Sequence, residues 1–368
     1  MIDPAKIKRI AILTGGGDCP GLNAVIRGVT RAAVLQHGWE VIGILDGFDG
    51  LLRTNAYRKL TSGDVRGLQT RGGTILGTSN RGNPLHYPVK KDGKIVYKDV
   101  TGNIVKNIKK LKIDVLIAVG GDGTMKITQN LFEKGVPVMG VPKTIDNDLA
   151  TTDVTFGFNT AVSIATDALD KLHTTAESHH RVMVLEVMGR DCGWIALEAG
   201  IAGGADVILL PEIPFDLGKI CSHIRYRKKS GSRFSIVIVA EGAQPAGGKK
   251  IYEREPKNGV PGRLGGVGRW VSDQISLCTN LETRVTVLGH LQRGGTPTMY
   301  DRILATRFGV EAVNRIAEGH FGHMVCLQGR SIGYVPIRSA ITRLKRVNPN
   351  GQMVKTAESL GIEMARAE

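Results

Sequence analysis

Asp114-Val-Leu-Ile-Ala-Val-Gly-Gly-Asp-Gly-Thr124 is an unbroken apolar run that ends in a turn of three glycines around one carboxylate. A strand half open to water alternates polar and apolar residues. One that is apolar on both faces belongs inside a parallel sheet covered by helices. The same grammar recurs on either side. Residues 10–13 run into Thr14-Gly-Gly-Gly-Asp18, 41–45 into Asp46-Gly-Phe-Asp-Gly50, and 137–141 into Pro142-Lys-Thr-Ile-Asp146. Further on, 182–187 meets Met188-Gly-Arg190 and 235–239 meets Ala240-Glu-Gly242. Helical patterns fill gaps over 22–36, 157–173 and 301–318. This alternation predicts a doubly wound α/β fold, in which ligands gather beyond the carboxyl ends of the strands. Every turn just quoted falls at such an end.

The chain has 368 residues, enough for two packed lobes with separate cores. Hydrophobic residues at 42% and charged residues at 23% describe a soluble globular protein. Glycine, at 48 residues, is about twice its usual share, so many turns must bring backbone close to something. Met1-Ile-Asp-Pro-Ala-Lys6 lacks the apolar core of a signal peptide, and no apolar run approaches the ~20 residues that span a bilayer. No membrane role and a cytoplasmic location are expected. Cys19, Cys192, Cys221, Cys278 and Cys326 are odd in number, far apart and without a CxxC pair, which suggests neither a zinc knuckle nor a disulfide framework.

The net charge of +15 suits nucleic acid, a membrane surface or small anions. Its densest stretch, Arg225-Tyr-Arg-Lys-Lys229, has no aromatic ladder and reads as a helix face or loop. No nucleic-acid partner is expected. Adjacent His179 and His180 do not share a face and read as a turn, not a metal site. Residues 80–98 read as a surface excursion, and the basic stretch from Ile337 onward carries no evident chemistry.

Two glycine loops fit a phosphoryl donor. Gly15-Gly-Gly-Asp-Cys-Pro-Gly21 leads into the first helix, so backbone N–H groups and the helix's positive end converge on one point. It matches neither a P-loop nor a dinucleotide fingerprint, and a plain strand-to-helix turn is the alternative. Gly120-Gly-Asp-Gly-Thr124 places Asp122 where it can hold Mg²⁺ or, alternatively, cap a helix. The chemistry falls to Thr144-Ile-Asp-Asn-Asp148. Phosphoryl transfer to an alcohol needs a base for the hydroxyl proton and cations for the transferred group, tasks that Asp146 and Asp148 can divide.

With these residues assembled, the chain resembles the 6-phosphofructokinase family, in its bacterial-type group of mixed ATP and pyrophosphate users, from about Lys8 to about Gly333. The resemblance rests on Gly16-Gly-Asp-Cys-Pro-Gly-Leu-Asn23, Gly120-Gly-Asp-Gly-Thr124, Pro142-Lys-Thr-Ile-Asp-Asn-Asp148, Glu186-Val-Met-Gly-Arg190 and Val287-Leu-Gly-His-Leu-Gln-Arg-Gly-Gly295, in that order.

The resemblance implies two doubly wound, Rossmann-like lobes with mostly parallel sheets and an active site in the cleft between them. Residues 1–157 plus about 292–342 would bind the phosphoryl donor, and 158–291 plus about 343–368 the sugar phosphate. It implies Mg²⁺-dependent phosphorylation of the 1-hydroxyl of fructose 6-phosphate. Asp146 would be the base, with Thr144 and Asp148 beside it, and Asp122 and Asp148 near the metal. Gly16, Gly17, Asp122, Gly123 and Thr124 match donor-phosphate positions. Arg81 stands one residue beyond the family's usual donor-side arginine. Met188, Gly189 and Arg190 match the segment on the sugar, with Arg190 also near the transferred group, and Glu241 matches a carboxylate for sugar hydroxyls. Arg181, Arg284, His290 and Arg293 match the cluster on the 6-phosphate, with Arg181 and Arg284 reaching from a neighbouring subunit of a homo-oligomer, a dimer or tetramer. Arg27 and Arg31 match effector arginines only in part and read as helix surface.

Two positions bear on the donor. An aspartate at Gly123, typical of pyrophosphate users, would crowd and repel the α-phosphate of ATP. Lys143 is frequent in pyrophosphate users and binds phosphate directly. Steric exclusion weighs more, and ATP is the expected donor; a reversible pyrophosphate-dependent enzyme is the alternative. A non-catalytic sugar-phosphate-binding subunit would have lost its base, and Asp146 is present. NAD and lipid kinases share GGDGT but not the last two segments.

Overall fold

The computed structural model describes residues 2–53, 55–79, 82–91, 93–255 and 262–367. In chain order its strands are β1 (Arg9–Thr14), β2 (Glu40–Ile44), β3 (Tyr57–Leu60), β4 (Tyr87–Lys91), β5 (Lys94–Lys98), β6 (Val115–Gly120), β7 (Val138–Thr144), β8 (Phe156–Gly157), β9 (Val182–Val187), β10 (Val207–Leu209), β11 (Ser235–Ala240), β12 (Tyr252–Arg254), β13 (Arg263–Leu264), β14 (Thr283–Val287), β15 (His323–Gln328) and β16 (Ser331–Pro336). The chain divides into two compact units, Met1–Asn159 with Arg293–Leu344, and Thr160–Gln292 with Lys345–Glu368.

The first unit holds an eight-stranded sheet in the order β16-β15-β7-β6-β1-β2-β3, with β8 beside β7. Its interior is parallel, and only the outer pairs β2–β3 and β15–β16 run antiparallel. Every residue of β6 is buried, as its uninterrupted apolar run requires. The helices Leu22–His37 and Met299–Ala317 pack through facing glycines. A Cβ on Gly28 would stand 2.8 Å from the Thr306 carbonyl oxygen, and one on Gly309 2.7 Å from that of Val25. The second unit holds the all-parallel sheet β10-β11-β9-β14 over a core that includes Val184, Leu209, Phe215, Val237 and Val271. The doubly wound, mostly parallel architecture holds in both units.

Several boundaries differ from the sequence reading. β7 runs on through Pro142 to Thr144 because its partner β6 ends opposite Pro142 at Gly120, and the pairing passes to β8 through Lys143↔Phe156 and Thr144↔Gly157. The helix expected over 157–173 spans Phe158–His179, and His180 then turns at φ 55°. Strands β4 and β5 pair antiparallel and are largely exposed, with His86 stacked on Tyr97. The basic stretch 225–229 closes the helix Leu217–Lys229, where cations meet the helix's negative end.

The cysteines bring a correction. No disulfide framework was expected, yet Cys221 and Cys278 form a disulfide with their Cα atoms 6.2 Å apart. They lie 57 residues apart on Leu217–Lys229 and Val267–Thr279, helices that pack side by side. Sequence spacing carries no trace of that proximity. Cys19, Cys192 and Cys326 are buried and stand outside that disulfide.

Candidate active site

In the first unit, three strand ends converge. β1 opens into Gly15–Gly17, where Gly16 takes φ 75° and side chains on its neighbours would crowd Thr124 and Arg293. A Cβ on Gly15 would lie 2.7 Å from Thr124 Oγ1, and one on Gly17 2.5 Å from Nη1 of Arg293. β6 opens into Gly121 and the helix Asp122–Glu133, which carries Asp122 in its first turn and pairs it with Lys126 at 2.7 Å. β7 opens into the acidic turn. The Asp146 N–H donates to Thr144 Oγ1 at 3.1 Å. Asn147 takes the left-handed conformation, φ 51°, which asparagine tolerates better than most residues. Its Oδ1 accepts from the Thr155 N–H at 3.2 Å, while Thr155 Oγ1 donates to the Thr144 carbonyl at 2.7 Å. A buried asparagine thus pins the turn between two carboxylates.

These three turns line one cavity of about 250 Å³, together with Lys143 and Arg293. Gly16, Gly17, Asp122, Gly123, Thr124, Thr144, Asp146 and Asp148 all face it, and Asp18 joins them. Lys143 is buried and donates to the Gly17 carbonyl. Burial pushes its ammonium below the ordinary lysine range, with nearby Cys19, Asp18 and Asp146 acting the other way and Arg293 adding to the shift. The neighbouring Cys19 thiol is pushed far up by burial, which leaves it inert as a nucleophile. The buried Nε of Arg293 has no hydrogen-bond partner, an orphan donor of the kind that marks a ligand position. Apart from its chain neighbours and the nearby backbone of its own helix, nothing lies within 4 Å of where a Cβ on Gly123 would stand.

A second cavity, about 460 Å³ and lined by Asp46, Asp49, Thr78, Ser79 and Tyr87 among others, adjoins the first through Thr78. Thr78 Oγ1 donates to the Gly16 carbonyl at 2.5 Å.

In the second unit the ends of β9, β11 and β14 line a cavity of about 650 Å³ that includes Met188, Arg190, Glu241, Gly289 and His290. The Glu241 N–H donates to the Val187 carbonyl at 2.9 Å and the Gly242 N–H to that of Gly189 at 3.0 Å. Only glycine fits at 242, because a Cβ there would stand 2.0 Å from the Arg190 carbonyl oxygen. Gly189 itself sits at φ 145°. The Glu186 carboxylate is buried and accepts from the Gly268 N–H at 2.7 Å, so it caps the positive end of Val267–Thr279.

The predicted residues therefore fall into separate groups. Asp146, Asp148, Asp122 and Arg293 share the first unit's cavity; Met188, Arg190, Glu241 and His290 share the second unit's. Arg181 and Arg284 line neither. Both pair with Glu282, Arg181 at 2.8 Å, and the Arg181 hydrogen bond above all holds that carboxyl below its usual range. Arg81 lies outside the described residues. The sequence reading missed Gln292, whose side chain is fully buried and ties Met188 to Gly289, and Glu186. Both stand inside quoted motifs, but Met188 lies 104 residues from Gln292 and Gly268 lies 82 residues from Glu186.

Comparison with known proteins identifies the family. Residues 9–316 match the family described as Phosphofructokinase. The chain is 55% identical over 371 residues to ATP-dependent 6-phosphofructokinase 2 of Clostridium perfringens, covering 99% of this chain and 100% of that protein. It is 50% identical over 346 residues to the pyrophosphate–fructose 6-phosphate 1-phosphotransferase of Amycolatopsis methanolica, covering 93% and 96%. A solved phosphofructokinase of Saccharomyces cerevisiae superposes with a TM-score of 0.75 at 32% identity, covering 91% of this chain but 45% of the longer yeast chain.

Proposed function

The chain belongs to the phosphofructokinase family, and on that premise we propose that it transfers a phosphoryl group from ATP to the 1-hydroxyl of fructose 6-phosphate, with Mg²⁺. One observation carries the reading: the Asp146 carboxylate shares a cavity with two glycine-walled strand ends, three further carboxylates and the orphan Nε of Arg293.

The first unit would bind the donor. Its phosphates would lie against Gly16, Gly17 and the amino end of Asp122–Glu133, where backbone N–H groups and the helix dipole favour anions. The planar fork of Arg293 would satisfy its free donor on a phosphate oxygen. Mg²⁺ prefers one or two carboxylates completed by phosphate oxygens and water. Asp122 and Asp148 fit that donor set, and the bound ion would neutralise developing charge on the phosphates. Asp146 would take the hydroxyl proton, its position fixed by the Thr144 and Asn147 contacts. The enzyme's task is mostly positioning and electrostatics, and a pinned acidic turn serves both.

The second unit would bind the sugar phosphate. Met188, Gly189 and Glu241 would contact the sugar, Arg190 would also reach the transferred group, and His290 would meet the 6-phosphate. Arg181 and Arg284 would act in a homo-oligomer, on a neighbour's substrate. The work would be cytoplasmic; among the described residues no helix is long and apolar enough to cross a membrane.

Gly123 leaves room beside the phosphates, and the cavity beyond Thr78 offers space for a nucleoside. Both favour ATP. Buried Lys143 is the observation that favours pyrophosphate. The purified protein, given fructose 6-phosphate and Mg²⁺, is offered each donor separately while fructose 1,6-bisphosphate is measured. Product with ATP supports the reading; product from pyrophosphate alone overturns the donor, and product from neither overturns the enzyme.

A further inference from the structure

We propose that Gln292 is a positioning residue for sugar-phosphate binding: its buried amide fixes the spacing between the Met188 loop and the His290 loop. The proposal rests on the sugar-phosphate reading of the second unit's cavity.

β9 and β14 pair in parallel up to Val287↔Glu186, and the last backbone bond between them runs from the Leu288 N–H to the Glu186 carbonyl at 3.0 Å. Beyond it Gly289 turns away at φ 48°. The two chains part where they begin to line the cavity. The next donor on that edge of the β9 chain is the Met188 N–H, and it goes to Gln292 Oε1 at 3.3 Å. Gln292 Nε2 donates back to the Gly289 carbonyl at 3.1 Å. The amide therefore acts as one more rung of the ladder after the backbones diverge. An N–H can only donate and a carbonyl only accept, so these partners fix which way the amide lies. The side chain is 0% exposed; its bond to Met188 is buried, and its bond to Gly289 lies at the cavity edge. Adjacent residues of a tight turn face different ways, so this inward amide also sets the turn from which His290 extends into the second unit's cavity.

A residue that spaces two substrate loops should act on sugar-phosphate affinity and leave the donor alone. Two full-length variants test this. Q292M keeps length and volume but makes neither bond. Q292E keeps the acceptor for Met188 and sets a carboxylate oxygen against the Gly289 carbonyl. At neutral pH both should raise the KM for fructose 6-phosphate about tenfold or more, with the KM for ATP and kcat changed less than about threefold. Lowering the pH protonates a buried carboxylic acid early, and its hydroxyl then donates to Gly289. The Q292E KM should return toward that of the unmodified enzyme at the same pH, while Q292M does not recover. Glu186, Glu241, Arg190 and His290 surround the same cavity, so the readout is the ratio of each variant to the unmodified enzyme at every pH.

An unchanged fructose 6-phosphate KM in both variants overturns the proposal. So does an equal loss in both KM values and kcat, or failure of both variants to fold, since either makes Gln292 a core residue only. If the unmodified enzyme does not turn over fructose 6-phosphate, the functional reading falls and takes this inference with it. Normal turnover with unaffected variants removes the inference alone.

Discussion

At the scale of single residues, the proposed chemistry hangs on Asp146 and on an absent side chain at Gly123. Asp146 is held by contacts to its neighbours' backbone and side chains, so Asp146→Asn should keep the turn and lose only the base. Turnover should fall about 10³-fold while equilibrium binding of fructose 6-phosphate, followed by calorimetry, stays near normal; near-normal turnover would remove Asp146 from its role. Gly123 has ordinary backbone geometry and open space around its missing Cβ. Gly123→Asp should therefore fold, and an acid in a helix's first turn is electrostatically welcome. The new carboxylate would face the donor. Two charges 4 Å apart at an effective dielectric of about 20 repel by about 4 kcal/mol, so kcat/KM for ATP should drop at least about 100-fold, with thermal stability little changed. A variant equally active with ATP would show that the donor phosphates lie elsewhere. Why lysine stands at 143, buried at a cost to its charge, follows from a bound polyphosphate that would restore the proton's hold.

Between residue and fold lie the elements, where the sequence was most and least legible. Strands apolar on both faces announced β1, β6, β7, β9 and β11, because burial of both faces leaves no polar position to confuse the period. Glycines and carboxylates at their ends announced the loops. What stayed hidden is whatever depends on distant partners. Pro142 looked like a strand end and is not, since its place in the ladder is decided by β6 and β8. Glu186 and Gln292 looked like filler inside motifs and turned out to tie loops together. The Cys221–Cys278 pair joins two helices that only tertiary packing brings together. By loop-closure entropy a cross-link over such a span is worth about 2–4 kcal/mol. Cys221→Ser, or reductant, should lower the urea midpoint accordingly, while turnover holds because neither cysteine lines a described cavity. Thiol titration of the native protein should find no reactive group before reduction, since the other three cysteines are buried. An unchanged midpoint on reduction would show that the cross-link contributes nothing to the fold.

For the molecule as a whole, the strongest consequence concerns how many chains make one site. Arg181 and Arg284 carry the resemblance to 6-phosphate ligands, yet each is paired with Glu282 and neither lines the cavity that holds His290. β14, which carries Arg284, is an edge strand with pairing on one side only, so its outer face has no neighbour within the sheet. If these arginines serve a second copy, each site takes Asp146 from one chain and Arg284 from another. Asp146→Asn and Arg284→Ala should then each be impaired alone. In a two-fold pair of one chain of each kind, one site carries both lesions and the other carries none. Random reassembly of equal amounts into two-fold pairs should therefore restore about one quarter of full activity. Arginines acting within their own chain give a different result: every site in the mixture keeps one lesion, and activity never exceeds the average of the two variants. Measuring turnover at limiting fructose 6-phosphate, before and after the mixed chains are dissociated and reassembled, separates the two arrangements.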